Sequence, residues 1–422
     1  MNQLKKMGAI GGAVALVLCW PLAVGHIGQK VIEDGVANLE NPIIDAEIVS
    51  YERSYLSSKV QTRYRISDPA LAEQLAMDNI PAELIVDSDV SHGLLSLSAD
   101  SVLSTLPELP LLLQTTTQLN GNTDFTLTLD SWNYQSSDQE NVKISLSPSK
   151  ATGRITVLGE FLLDSLVPSV QIDFDNGEQM NLSDVALTAN GKKELGLWLG
   201  EQKLSMANME ILDDNRTPVV MVENASYRFQ SDYEKEQDRI NVDQTFLVDN
   251  FIYPDNPGVQ KLHVNFAMNH LDREVFEGFS NLNNSGLLAE DIDVNQIIPL
   301  INQLFSRGFE VSLGHVDFDI QGEQFRSNLL LSVPEGTDNV VQNPDSVIPA
   351  LTGALNASVS EDMTQVNPTI AMGLDELALM NIVTQDEKGY QLNANVEQGE
   401  LVFSNGQKIP LVALFYSVMM QR

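Results

Sequence analysis

Cysteine is almost missing from this chain: 422 residues contain one, Cys19. It sits in an N-terminal apolar run, so the rest of the chain has no disulfide framework, no thiolate nucleophile and no cysteine metal site. Cations are scarce as well, with 24 Lys and Arg against 58 Asp and Glu and a formal net charge of −34. Such a chain repels phosphate backbones, which excludes nucleic acid as a partner. Solubility is the economical reading of the acidity. Catalytic signatures are absent too: no H-E-x-x-H, G-x-S-x-G, Walker loop or G-x-G-x-x-G occurs. The five histidines, His26, His92, His263, His270 and His315, form no ligand spacing. His263 reads as a surface imidazole on a strand, and His92 in "DSDVSHG" as part of a capped turn. "DFDNGE", residues 173 to 178, fails as an EF-hand loop because its glycine falls fifth instead of sixth and Leu182 occupies the twelfth place. Asp173, Asp175, Asp317 and Asp319 then read as water-facing positions of strands. The expectation is a non-enzyme with no catalytic residues, no metal and no cofactor.

What is present begins with that apolar run. Lys5 and Lys6 precede an uncharged stretch over residues 7–27, long enough for a helix to cross a bilayer. The positive pair keeps the N-terminus cytoplasmic, and Trp20 suits an interfacial anchor. Ala23-Val24-Gly25 offers a small-x-small cleavage pattern as the alternative. Lipid attachment at Cys19 is disfavoured, because Leu18 and Trp20 flank it. Residues 1–27 are thus expected to be a cytoplasmic tip and transmembrane signal anchor of a bacterial inner-membrane protein, with the bulk in the periplasm.

The remainder alternates with period two. In "LSSKVQTRYRI", Leu56, Val60, Thr62, Tyr64 and Ile66 share one face while Lys59, Gln61, Arg63 and Arg65 share the other. "FTLTL", "VKISL", "VQIDF", "LGLWL" and "KLHVNFAMN" repeat the pattern. Turn chemistry at Asn120-Gly121, Asp175-Asn176-Gly177 and Asn190-Gly191 joins such strands. Helices punctuate them: one starts at Asp68-Pro69, one covers about 271–281, and one runs over about 294–307 with Pro299 kinking it or shifting its start. In "FEVSLGHVDFDI" the apolar phase slips by one residue at Gly314-His315, which predicts a β-bulge. A short helix before a strand is expected within "NPDSVIPALTGALNASVS" from Asn343, "LDELALMNIV" reads as a helix by spacing or, as the alternative, a strand by apolar density, and strands turn at Gly399 and Asn405-Gly406. "LVALFYSVMM" is too short to span a bilayer and reads as a closing helix. The predicted fold is mostly β (α+β): an N-terminal membrane helix, then extended antiparallel meandering sheets with a few short helices. Its regions are a first β-rich stretch over 28–270, a helical connector over 271–308, and a second β-rich stretch over 309–422 ending in a hairpin and short helix.

One charge feature stands out. Arg53, Lys59, Arg63 and Arg65 crowd together with only Glu52 among them. They form a patch for anionic ligands or, more economically, pair with acidic neighbours across the sheet. The anchor, the segment "YERSYLSSKVQTRYRI" and the terminal "GELVFSNGQKIPL" resemble the YdgA-like family of bacterial envelope proteins, whose domain is of unknown function. Ser54 stands where that family commonly has glycine. The resemblance implies an inner-membrane-anchored periplasmic protein and supplies no catalytic residues. Three functions compete: a groove for lipid or an envelope protein, with a fold-level analogy to AsmA-like envelope proteins; a homo-oligomeric scaffold without cargo; and, last, a carboxylate-based cell-wall or polysaccharide hydrolase.

Overall fold

A computed structural model describes residues 44–412 except 78–80, 136–141, 196, 255–256, 285–293, 339, 344–345 and 367, together with Gln29 and Ile32. The alternating segments form 22 strands of a single sheet in which every pairing is antiparallel. The first strands are β1 (Ile44–Arg53), β2 (Ser57–Ile66), β3 (Glu83–His92), β4 (Ser96–Leu103), β5 (Leu111–Gln118) and β6 (Thr123–Leu129). A broken hairpin follows, β7 (Trp132–Gln135), β8 (Lys143–Leu146) and β9 (Ser149–Ile155). Both β8 and β9 pair with β10 (Glu160–Asp173), at its two ends. Five long strands come next: β11 (Gln179–Glu194), β12 (Leu197–Leu212), β13 (Pro218–Glu234), β14 (Arg239–Ile252) and β15 (Val259–Asp272). The sheet continues through β16 (Phe309–Ile320), β17 (Glu323–Val333), β18 (Thr352–Val359) and β20 (Gly389–Glu397), with short β19 (Thr384–Asp386), β21 (Glu400–Phe403) and β22 (Lys408–Pro410) at its end. Most strands therefore pair with their neighbours in the chain, as in a meander of hairpins, and the pairs β6–β9, β8–β10 and β18–β20 bridge over short inserted strands.

Helices fall where capping and periodicity predict them. In the helix Pro69–Met77, the Asp68 carboxylate accepts from the Leu71 amide at 3.0 Å. Arg273–Asn284 starts two residues later than expected, because Leu271 and Asp272 still belong to β15. Asp272 caps it, accepting from the Val275 amide at 3.2 Å, and its other oxygen pairs with Arg307 at 2.9 Å. Val294–Arg307 contains Pro299. The two helices lie between β15 and β16 in the chain, yet those strands pair directly, with register shifts at Gln260/His263 and Asn265/Phe266. The helix Pro368–Leu379 bears out the helical reading of "LDELALMNIV".

One expectation is corrected and one is borne out. Asn190-Gly191 is no turn: both lie inside β11, and the chain reverses after Glu194. Gly191 faces Gly200 across the ladder, where a Cβ on Gly200 would fall 2.1 Å from the Asn190 carbonyl oxygen. The glycine signal there marks close backbone approach. The slip at Gly314-His315 is the predicted bulge, seen as a register shift opposite Asn265 and Phe266. Residues 413–422 and the expected anchor, with Lys5, Lys6 and Trp20, lie outside the described residues. Among the described residues no helix is long and apolar enough to cross a membrane.

Candidate functional site

Antiparallel partners point to the same face, so the register traces which side chains share a surface. On one face a single row crosses the molecule. It runs through Tyr51, Val60, Ser88, Ser101, Leu113 and Leu127 on β1 to β6. Ala151 and Ser165 continue it, and Leu187, Leu204, Tyr227, Phe246, Val264 and Val316 carry it from β11 to β16. The reverse face of the same strands carries Lys203, Arg228, Asp243, Thr245 and His263, and so is polar.

Coverage divides this apolar face into three zones. Over β13 to β21 it is closed by Phe276, Leu304, Phe305 and Leu377, which pack on a core containing Ile240, Val242, Val396, Leu401 and Phe403. Over β1 to β5 it is lined by small and hydroxylated side chains around a cavity of about 170 Å³, with Ile32 among the lining residues. Between them Leu187, Leu204, Tyr227 and Phe246 stand 36 to 47% exposed with no covering element among the described residues. The Tyr227 hydroxyl donates to Gln244 at 3.0 Å, which leaves its ring to the apolar surface.

A crease shapes this uncovered zone. Asp184, Asn224 and Lys261 have φ of 51°, 50° and 51°, a left-handed conformation unusual within strands. They fall at one level of the sheet, where the ladder skips a pair: Ser183 pairs with Asn208 and Ala186 with Ser205, while Glu223 pairs with Asn250 and Ala225 with Val248. Across this level the apolar phase advances by three instead of two, from Met206 to Met209, Val222 to Ala225 and Val248 to Phe251, and all six pack together; Asn224 is the left-handed residue inside the second of these steps. Val222, Ala225 and Val248 are under 8% exposed, and among the described residues the apolar side chains packed on them all come from the same sheet. A concave bend accounts for this burial, and we read the face as a trough.

Of the cationic residues predicted as a patch, Lys59, Arg63 and Arg65 lie on the other side of β2 and are paired, whereas Arg53 is on β1, opposite Ser58 and on the face of Val60. Arg63 reaches Glu47 at 2.6 Å and Glu83 at 3.0 Å, Arg65 reaches Asp45 at 3.5 Å, and Lys59 reaches Asp89 at 3.9 Å. Arg53 donates to Gln29 at 3.3 Å. Cross-strand pairing accounts for three of the four.

Three polar groups depart from their sequence readings. His92 is in strand β3, not a capped turn, and is 6% exposed, with Nε2 2.8 Å from the Ser58 hydroxyl. Its Nδ1 has no hydrogen-bond partner, so the pair lacks the orienting group of a nucleophilic triad. Asp319 is 2% exposed, not water-facing, and is held by Lys261 at 3.0 Å and Arg326 at 2.8 Å. Burial works to raise its pKa, and the hydrogen bonds from Lys261 and Arg326 outweigh that and hold it below the usual carboxylate value. His263 stacks on His315 with centroids 4.5 Å apart, and His315 lies 3.1 Å from Asp317. Burial, then the neighbouring His315, lowers the His263 pKa and favours its neutral form. The ligand atoms of His263, His315 and Asp317 lie within 4.8 Å of one another, so these three could meet a metal ion. Their rings nevertheless present faces to each other, whereas a shared ion needs converging nitrogen lone pairs. The stack and the ion pair explain the group as it stands.

The trough was visible only in part from the sequence. Its signal is the three-residue step in an otherwise two-residue pattern, which recurs in consecutive strands at one level. No curated protein and no solved structure matches the chain. A family profile described as bacterial protein of unknown function (DUF945) matches residues 4–412. The match covers the N-terminal apolar run, the long strands and the closing helices alike, and the chain belongs to this bacterial family.

Proposed function

We propose that the protein is a non-enzymatic, inner-membrane-anchored envelope protein whose trough holds the acyl chains of a lipid. Within its family we place it with the YdgA-like members, on residues 51–66 and 399–411. One observation carries the lipid reading: the half-exposed row Leu187, Leu204, Tyr227 and Phe246 on a concave, uncovered face. Four strands at a spacing of about 4.8 Å make this row about 14 Å wide, the scale of an acyl chain segment. Each methylene removed from water there gains about 0.8 kcal/mol. A soluble monomer has little reason to keep such a row open.

The test is native mass spectrometry of the full chain, extracted gently from its own membrane, beside a Leu204→Asp, Phe246→Asp variant. Extra mass matching a phospholipid is expected on the parent and lost from the variant. A bare parent overturns the lipid reading. A clean oligomer without lipid assigns the row to a self-interface and supports the scaffold instead.

A further inference from the structure

Every second turn of a meander falls at the same end of the sheet, and the turns at the two ends differ in chemistry. At one end are the turns joining β1 to β2, β3 to β4, β5 to β6, β9 to β10 and β11 to β12. Their tips expose large apolar side chains: Leu56, Leu95, Leu119, Val157, Leu158 and Leu195. Leu95 and Leu158 are the extreme cases, 70% and 71% exposed. In a chain with 58 carboxylates, residues 54–56, 93–95, 119–122 and 156–159 contain none. The opposite end is more acidic, with Ile252 and Tyr253 at the turn from β14 to β15 as its exposed apolar side chains. Its turns carry Asp175 and Glu178 between β10 and β11, and Asp213 and Asp214 between β12 and β13.

These tips form one continuous rim, because hydrogen bonds link each to the next. The His92 amide donates to the Leu56 carbonyl at 2.8 Å and the Leu119 amide to the Leu95 carbonyl at 3.3 Å. The Val157 amide donates to the Asn122 side chain at 3.2 Å, and the Lys193 amide to the Gly159 carbonyl at 2.7 Å. The rim ends at the turn from β13 to β14, where residues 235–238 are Lys, Glu, Gln and Asp.

A further observation says what covers it. Gln29 accepts a hydrogen bond from Arg53, at the β1 end that forms the first tip. The apolar run over residues 7–27 ends two residues before Gln29, at most about 7 Å of chain away. Gln29, the described residue nearest to the run in the chain, thus lies at the rim's end of the molecule. The run and the rim are both apolar, and the chain's carboxylates are kept from the tips, as an anionic lipid surface demands.

We propose that the rim of hairpin tips docks on the lipid bilayer that receives the N-terminal run, seating the sheet with its strands rising from the membrane. Apolar side chains at the tips enter the interfacial layer, and the acidic turns at the far end point away from it. This goes beyond the lipid content of the trough and does not depend on it. Docking also places the end of the trough at the bilayer surface.

The test uses the full chain with Cys19→Ser, reconstituted in vesicles of phosphatidylcholine and phosphatidylglycerol. Single cysteines at Leu95, Leu158, Asp175 and Asn215 carry an environment-sensitive fluorophore. Labels at Leu95 and Leu158 are expected to shift to the blue, to be quenched by brominated lipid and to be shielded from iodide. Labels at Asp175 and Asn215 are expected to behave in the opposite way. Equal iodide access at all four sites overturns the proposal. Shielding of Leu95 and Leu158 without quenching by brominated lipid also overturns it, because a second copy or another protein then covers the rim. A Leu94→Glu, Leu95→Glu, Val157→Glu, Leu158→Glu variant, folded by circular dichroism, is expected to lose quenching of a label at Leu119. If that quenching survives, docking does not use the tips. Lipid mass retained by this variant in native mass spectrometry separates failure of the rim from failure of the trough.

Discussion

The closed and open zones of the apolar face are built from the same strands and the same alternation, yet they do different work. Under the helices Arg273–Asn284 and Val294–Arg307, the face forms a core in which Ile240 is fully buried and Val396 is 1% exposed. A short distance along the same strands, Leu204 and Phe246 occupy equivalent positions and keep 47% and 39% of their surface in water. The closed zone also has a charged tie, in which Asp272 holds Arg307. Burial in this fold is therefore decided by what lies above the sheet, and an uncovered row of large side chains is a feature retained against its hydrophobic cost.

That contrast can be broken first in the core. Ile240→Ala is expected to cost about 2–5 kcal/mol, while Leu204→Ala costs less than about 1 kcal/mol, by denaturant unfolding of both variants. Equal costs would mean that the open row is covered in solution. Next comes the crease. Asn224→Val forces a β-branched residue into a left-handed conformation and is expected to cost about 1–2 kcal/mol, whereas Asn224→Gly is neutral or stabilising. If valine is tolerated, the bend does not depend on that conformation. The smallest effect is the acid limb. Asp319 has a folded pKa below its unfolded value, so its stabilisation is present above about pH 4 and lost as pH falls through the lower folded value. Melting temperatures measured between about pH 5 and pH 2 are expected to fall less steeply for Asp319→Asn than for the parent.

The strands and most helices were legible because each carries its signal locally. Val60 and Thr62 are buried on β2 as their alternation demands, and Asp68 caps the helix it precedes. What sequence could not supply lies across strands. Asp319 looks like any outward carboxylate until Lys261, 58 residues away, and Arg326 close on it. His92 sits in a polar segment, and only the pairing of β2 with β3 places it against Ser58. The trough was harder still. Alternation is identical in a covered and an uncovered sheet, so Leu204 and Val242 read alike until the helices are placed. The crease had a visible trace, since Met206 to Met209 and Val222 to Ala225 break the period, but one such break resembles a bulge. Its meaning appears when neighbouring strands break at the same level.

The pairing of most strands with chain neighbours, and of the rest with strands two or three places away, bears on how this molecule forms. A meander closes each hairpin against the one before it, so no strand waits for a partner from the far end of a 422-residue chain. Contacts of this kind incur little loop-closure entropy and favour quick, stepwise growth. As the chain emerges with its N-terminus first, β1 and β2 can pair while β22 is still unmade, and every later hairpin finds a finished edge to extend. The growing edge is the hazard, because its unpaired amides and carbonyls could recruit another chain. Uninterrupted delivery of the next hairpin is then itself the protection, and the length of the trough becomes a matter of how many hairpins the gene supplies.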